Sequence, residues 1–302
     1  MKRWRVTMQT ELPSTIRLGS LSIDRVEEFS GPVLAADAFL VGLPADAIAQ
    51  NLGWLAPDHV DAETELMVMA DHTWVVRTAD ATVLIDTCWG NDKDRPGFGA
   101  QLKTNWLEAL RALGVEMAAV DYVICTHLHA DHVGWNTRLV DSEWVPTFPN
   151  ARYVVPRLEY EYWEHSGVVD FGHDKAFADS VLPIVTAGLL DLAEPGDTVA
   201  GCLTLESAPG HCPGQVAVRA ESEGQVGVFA ADTIHVAAQL AFPDVSTIAC
   251  VDPDVARVTR RALLDECADK GHLLLTNHFP APSACRIERD GQHYRIIGAD
   301  HD

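Results

Sequence analysis

From residue 66 onward, short apolar runs end in polar residues, and their period separates strands from helices. MVMADHTWVVRT and ATVLIDTCWG predict two strands joined by a polar turn, the second closing at Asp86. In TNWLEALRALG the apolar residues Trp106, Leu107, Leu110 and Leu113 fall on one helical face, with Gly114 as the stop. VDYVICT then predicts a short buried strand.

The second half alternates in the same way. FADSVLPIVTAGLL predicts a helix up to a kink at Pro183, and CLTLESAPGH, QVAVRAES and GQVGVFAADT predict consecutive strands. DPDVARVTRRALLDECADKG predicts the clearest helix, with Asp252 as cap, Pro253 in the first turn and Gly271 at the end. HLLLTNHF predicts a buried strand, and CRIERDGQHYRII a hairpin with Asp290-Gly291 at its tip. Helices outside mixed sheets are the expected architecture.

Composition narrows the class. The 302 residues, 47% hydrophobic and 22% charged, suit a globular chain with a sizeable core. No repeat, low-complexity tract or long linker marks a boundary, so one domain over 1–302 is expected. Asp and Glu outnumber Lys and Arg 44 to 22, for a net charge of -22, a balance that disfavours nucleic acid and anionic membrane surfaces. The N-terminal stretch MKRWRVTMQTELPSTIRLGS lacks the apolar core of a secretory signal, and no other run approaches a membrane span. A cytoplasmic location is expected. The seven cysteines form no CxxC pair and read as free thiols in a reducing compartment.

Each strand also delivers a polar residue at or just past its C-terminal end. VLID delivers Asp86, VICTHLHADH delivers His127, His129, Asp131 and His132, LESAPGH delivers His211, VGVFAAD delivers Asp232, and LLLTNH delivers His278. Five imidazoles and two carboxylates from His127 onward are too many for one zinc, which takes four ligands and leaves one position open when catalytic. Buried and without a metal, the HxHxDH run would hold groups that repel or go unsatisfied. The division expected is His127, His129 and His211 for one ion and Asp131, His132 and His278 for the other, with Asp232 and a hydroxide bridging. Two divalent ions are implied, zinc first, though manganese, iron or cobalt also suit such donors. Asp86 is expected to orient a ligand imidazole.

These residues, in this order and over most of the chain, resemble the metallo-beta-lactamase-fold hydrolases. The resemblance implies a four-layer αββα sandwich of two mixed β-sheets with a dinuclear site at one edge between the sheets. His129 departs from the HxExD pattern of the flavodiiron branch, and the acidic chain lacks the basic surface of RNA-processing members. FPNARYVVPRLEYEYW and the segment from ADTIHVAAQL to LLLTNHFPAP are most similar to the branch with methyl parathion hydrolase and lactonases. Where many acyl-homoserine lactonases carry a Tyr that contacts the substrate carbonyl, this chain has His235, a candidate hydrogen-bond donor in its stead or else a residue of the pocket wall or behind a ligand.

The chemistry expected is attack of the bridging hydroxide on a carbonyl or phosphoryl centre, with Asp131 relaying a proton to the leaving group. Trp89, Trp135, Trp163 and Phe242 are the candidate pocket residues, together with Phe98, Tyr160 and Phe171, and suit an apolar or aromatic small molecule. The leading function is hydrolysis of an ester, lactone or phosphotriester. The alternative on the same fold is hydrolytic dehalogenation of an activated chloroaromatic, which a tryptophan-rich rim allows. The long segment before Asp86 is a candidate arm for a homodimer.

Overall fold

The computed structural model describes residues 15–96, 99–166 and 172–297. Two seven-stranded sheets dominate. The first holds, side by side, β1 (Ile16–Leu18), β2 (Leu21–Ala35), β3 (Leu66–Arg77), β4 (Thr82–Ile85), β5 (Tyr122–Ile124), β6 (Arg152–Pro156) and β7 (Leu190–Ala193). Its pairs are antiparallel up to β4 and parallel from β4 to β7. The second holds β8 (Thr198–Val199), β9 (Leu203–Ser207), β10 (Val216–Ser222), β11 (Gln225–Phe229), β12 (Leu273–Leu275), β13 (Ala284–Asp290) and β14 (His293–Ile297). Only its β11–β12 pair is parallel.

Side-chain alternation along these strands builds the layers. Trp74, Val76, Val83, Ile85, Ile124 and Val154 of the first sheet share a core with Leu205, Val218, Phe229 and Leu275 of the second. Their neighbours Val75, Leu84, Val123 and Tyr153 face the opposite way, onto Trp106, Leu110 and Ile184 of the covering helices. Ala217, Val228 and Leu274 likewise back onto Leu264 and Cys267 of the helix Pro253–Lys270. The result is the αββα sandwich.

Most predicted elements lie where the pattern put them. The helix Pro253–Lys270 starts at Asp252, whose side chain accepts from the Val255 amide at 3.0 Å, and ends at Gly271 with φ 65°. Such a cap contributes about 1 kcal/mol. The segment after His173 departs from expectation. It stays helical to Thr186, with a π-helical stretch Phe177–Val181 ahead of Pro183. The wider turn accommodates the proline, which sits in the first turn of the final segment where its missing N–H has no role.

Residues 16–85, within the segment named as a candidate arm, build β1 to β4 and the helix Ala47–Leu55. β2 pairs with β3 along nearly its whole length in the first sheet, while Leu40, Leu55 and Val60 between them pack on the outer core of the second. Among the described residues no helix is long and apolar enough to cross a membrane. All seven cysteines are free.

Candidate functional site

The ends of β4, β5, β11 and β12 converge at one edge of the sandwich. Just past β4, Asp86 turns the chain with φ 56°. After β5 come Thr126 and His127, and the short helix Ala130–Val133 swings Asp131 and His132 round. His211 arrives on the loop before β10, held by the Val216 amide donating to the Thr126 carbonyl at 3.0 Å. Asp232 follows β11 and His278 follows β12.

All seven sequence-predicted ligand residues meet around Asp232. Its Oδ1 lies 3.2 Å from His132 Nε2 and 3.1 Å from His278 Nε2. Its Oδ2 lies 3.2 Å from His211 Nε2 and 3.8 Å from His127 Nε2. His129 Nδ1 is 2.8 Å from His211 Nε2, and Asp131 Oδ2 is 3.7 Å from His132 Nε2 and 3.8 Å from His278 Nε2. His235 joins them, with Nε2 3.0 Å from Asp232 Oδ2 and its ring parallel to that of His278.

Behind the cluster, the histidines' other nitrogens are held in place. His132 Nδ1 lies 2.8 Å from Asp86 Oδ2, and that carboxylate is itself fixed by the Thr126 amide, the Thr126 hydroxyl and Asn277 Nδ2. His278 Nδ1 lies 3.2 Å from the Ala70 carbonyl and 2.9 Å from Asp71 Oδ1, and the Asp71 carboxylate also accepts from Trp89 Nε1. Thr126 Oγ1 is 3.1 Å from His127 Nδ1. His129 Nε2 faces Cys212 Sγ at 3.1 Å, and His211 Nδ1 faces Cys250 Sγ at 3.8 Å. Sequence reasoning missed Asp71, Cys212 and Cys250. Cys212 follows His211 directly and Asp71 lies mid-strand, so only the folded chain shows what they touch.

Two loops are fastened together beneath the cluster. The Thr87 amide donates to the His132 carbonyl at 2.7 Å, Gly134 to Cys88 at 2.7 Å and Trp135 to Thr87 at 2.8 Å. A Cβ on Gly134 would stand 1.8 Å from the Trp89 carbonyl oxygen, so only glycine permits this approach.

The electrostatics favour a cation. Burial holds His127, His129 and His211 well below the ordinary histidine value, neutral and able to donate a lone pair. Burial opposes charge on His132 and His278 too, yet Asp232 and neighbouring carboxylates raise both well above it. Burial likewise acts against the Asp232 charge but loses to His132, His278, His235 and His211, which hold that carboxyl well below its ordinary value. Burial, joined by Asp71 and Asp232, raises Asp131 to about 6 against His132 and His278. Among the described residues, His127 Nε2, His132 Nε2 and Asp232 Oδ1 are buried without a hydrogen-bond partner despite their closeness. Buried polar atoms left in that condition are costly, and a shared cation would satisfy them together. The donor set fits divalent metal ions.

A cavity of about 440 Å³ opens onto this floor. Phe29, Val33, Leu34, Phe39 and Met69 make its apolar wall, and Trp89 and Pro96 its rim. His173 also lines it, stacked on His129 with ring centroids 3.9 Å apart.

The aromatic expectations need correction. Trp89 does line the cavity. Trp135 does not: it is buried in the core, stacked on Trp106, with Nε1 donating to Glu28 Oε1. Trp163 stands behind His129 and His173, its Nε1 donating to Glu159 Oε1. Tyr160 packs against the outer core of the first sheet. Phe242 packs against the outer core of the second sheet and on His293. Phe98 and Phe171 lie outside the described residues.

The sequence model of the metallo-beta-lactamase superfamily matches residues 68–278. Over 119 residues the chain is 34% identical to the N-acyl homoserine lactonase AttM of Agrobacterium fabrum (strain C58), covering 36% of this chain and 38% of the relative. Over 77 residues it is 39% identical to the AttM lactonase of Azorhizobium caulinodans, covering 26% and 23%. The chain thus spans well under half the length of these curated relatives. Among solved structures, the hydrolase AbOPH of the beta lactamase superfamily superposes with a TM-score of 0.83 at 21% identity, covering 98% of this chain and 100% of that one. AidC, a dizinc quorum-quenching lactonase in complex with a product, superposes with a TM-score of 0.76 at 21% identity, covering 94% and 96%. At those identities the structural likeness speaks for the fold.

Proposed function

The chain belongs to the metallo-beta-lactamase superfamily, and we propose that it is a hydrolase, dependent on two divalent cations, that opens a lactone or ester carrying an apolar substituent. The observation that supports this best is the set of buried atoms on His127, His132 and Asp232 without partners among the described residues, at the floor of a cavity with an apolar wall. In this reading His127, His129 and His211 hold one ion, Asp131, His132 and His278 the other, and Asp232 lies between them. Zinc is the first candidate. Divalent ions bound there would acidify water to near neutrality and polarise a carbonyl oxygen.

The chain's own residues do the rest. Phe29, Leu34, Phe39 and Met69 take the apolar part of the substrate and exclude water from it. His235, buried among Asp232, Phe39 and His278, presents its imidazole to the cavity and donates to the substrate oxygen where the resemblance places a Tyr. Asp131 accepts a proton and passes it to the departing oxygen. The tryptophan-rich rim that allowed dehalogenation is reduced to Trp89, so ester or lactone cleavage is preferred. Seven free thiols support a reducing, cytoplasmic setting.

The test is elemental analysis of protein purified without added metal, followed by turnover of lactones, aryl esters, phosphotriesters and chloroaromatics. Two equivalents of metal and preference for a lactone or ester are expected. His211→Ala and Asp232→Ala should each lose metal and turnover together. Full activity at wild-type metal content in either would remove the assignment of that residue.

A further inference from the structure

The two halves of the cluster are backed by different chemistry. His132 directs its Nδ1 at the Asp86 carboxylate at 2.8 Å, and His278 Nδ1 lies between the Asp71 carboxylate at 2.9 Å and the Ala70 carbonyl at 3.2 Å. On the other side His127 meets the Thr126 hydroxyl at 3.1 Å, His129 the Cys212 sulfur at 3.1 Å, and His211 the Cys250 sulfur at 3.8 Å. A carboxylate behind an imidazole fixes its tautomer and increases its electron donation, whereas a neutral hydroxyl or thiol is a weaker acceptor.

Cys212 is itself wedged in place. It is fully buried beside Glu159, whose carboxylate already accepts from Trp163 Nε1, the Gly214 amide and the Leu128 amide. His129 can present only one nitrogen to the cluster. Its Nδ1 is the one beside His211 Nε2, which leaves Nε2–H for the sulfur.

We propose that these outer contacts divide the site into a tightly holding half at Asp131, His132 and His278 and a labile half at His127, His129 and His211, with Cys212 and Cys250 the positioning residues of the labile half. Asp71 and Asp86 do the corresponding work for the tight half. The inference rests on the dinuclear reading above.

The experiment equilibrates holoenzyme with graded dipicolinate and counts bound metal by elemental analysis at each step. Wild type is expected to lose one equivalent at a chelator concentration about 10-fold below that needed for the other. Cys212→Ala should move the first loss about 10-fold lower again and leave the second in place, while Cys212→Ser, which keeps an acceptor, recovers part of the shift. Asp71→Asn should do the reverse, bringing the second loss toward the first. Thermal unfolding at saturating metal checks that each variant folds. If Cys212→Ala does not fold, Cys250→Ala takes its place, with a smaller shift expected on the same equivalent because its sulfur stands farther from its imidazole.

Simultaneous loss of both equivalents in wild type, or an equal shift of both in the cysteine variant, overturns the proposal. So does a thiolate-to-cobalt charge-transfer band in the cobalt-loaded protein that Cys212→Ala abolishes, which would make the sulfur a ligand. A chain that saturates at one metal ends the dinuclear reading itself, an outcome distinct from the others.

Discussion

Two carboxylates in this molecule are almost equally buried and differ in every other respect. Glu28, 4% exposed, accepts from Trp135 Nε1 and the Trp89 amide, each at 2.7 Å, from Thr104 Oγ1 at 3.0 Å and from the Gly90 amide at 3.4 Å. Asp232, 3% exposed, is ringed by five imidazoles, and its Oδ1 has no hydrogen-bond partner among the described residues. The first is satisfied by protein and ties the Trp89 loop to β2. The second has imidazoles about it, yet its Oδ1 is left without a hydrogen bond from the described residues. A buried carboxylate completed from within serves architecture, and one left incomplete among imidazoles at a cavity floor suits a cation.

Substitutions should separate the two. Asp232→Ala is expected to lower turnover about 1000-fold, equivalent to about 4 kcal/mol, while the metal-free protein melts no lower than metal-free wild type. A steady-state assay and a thermal scan after chelation check both halves of that statement. Glu28→Ala should do the opposite. With the Trp135 and Trp89 donors stranded it should cost about 3 kcal/mol in urea unfolding, with metal content unchanged.

A milder change at the same place tests the charge itself. Burial raises Glu28 from 4.5 to about 7, against its hydrogen bonds from Trp135, Trp89 and Thr104. The folded protein therefore binds a proton that the unfolded chain has released, so stability should fall as pH rises from about 4.5 to about 7 and level off beyond. Glu28→Gln should flatten that slope, worth roughly 3 kcal/mol, in unfolding curves across the interval. The smallest effect belongs to the cavity wall. Leu34→Ala should cost about 1 kcal/mol in kcat/KM for substrates with long apolar substituents and nothing for short ones.

Much of the site was legible in the sequence because sheets place strand ends together. An apolar run ending in His or Asp fixes both where the residue lies and that its neighbours arrive alongside, as Asp86, His127, Asp232 and His278 do. The wall was not legible. β2 supplies Phe29, Val33 and Leu34, but its register shifts between Glu27 and Phe29 and between Pro32 and Leu34, which breaks the period-two signal. Trp135 shows the converse error. Closeness in sequence to the HxHxDH run suggested a pocket wall, yet the turn at Gly134 points its ring into the core beside Trp106.

Gly134 has a bearing on how such a molecule can diversify. With no space for even a methyl group against Trp89, the segment bearing the HxHxDH run and the one following Asp86 interlock like a mortise and tenon. Lengthening or redirecting either one displaces its counterpart. New specificity is then open mainly to the far side of the chamber, where β2 can be remodelled while the joint stays shut.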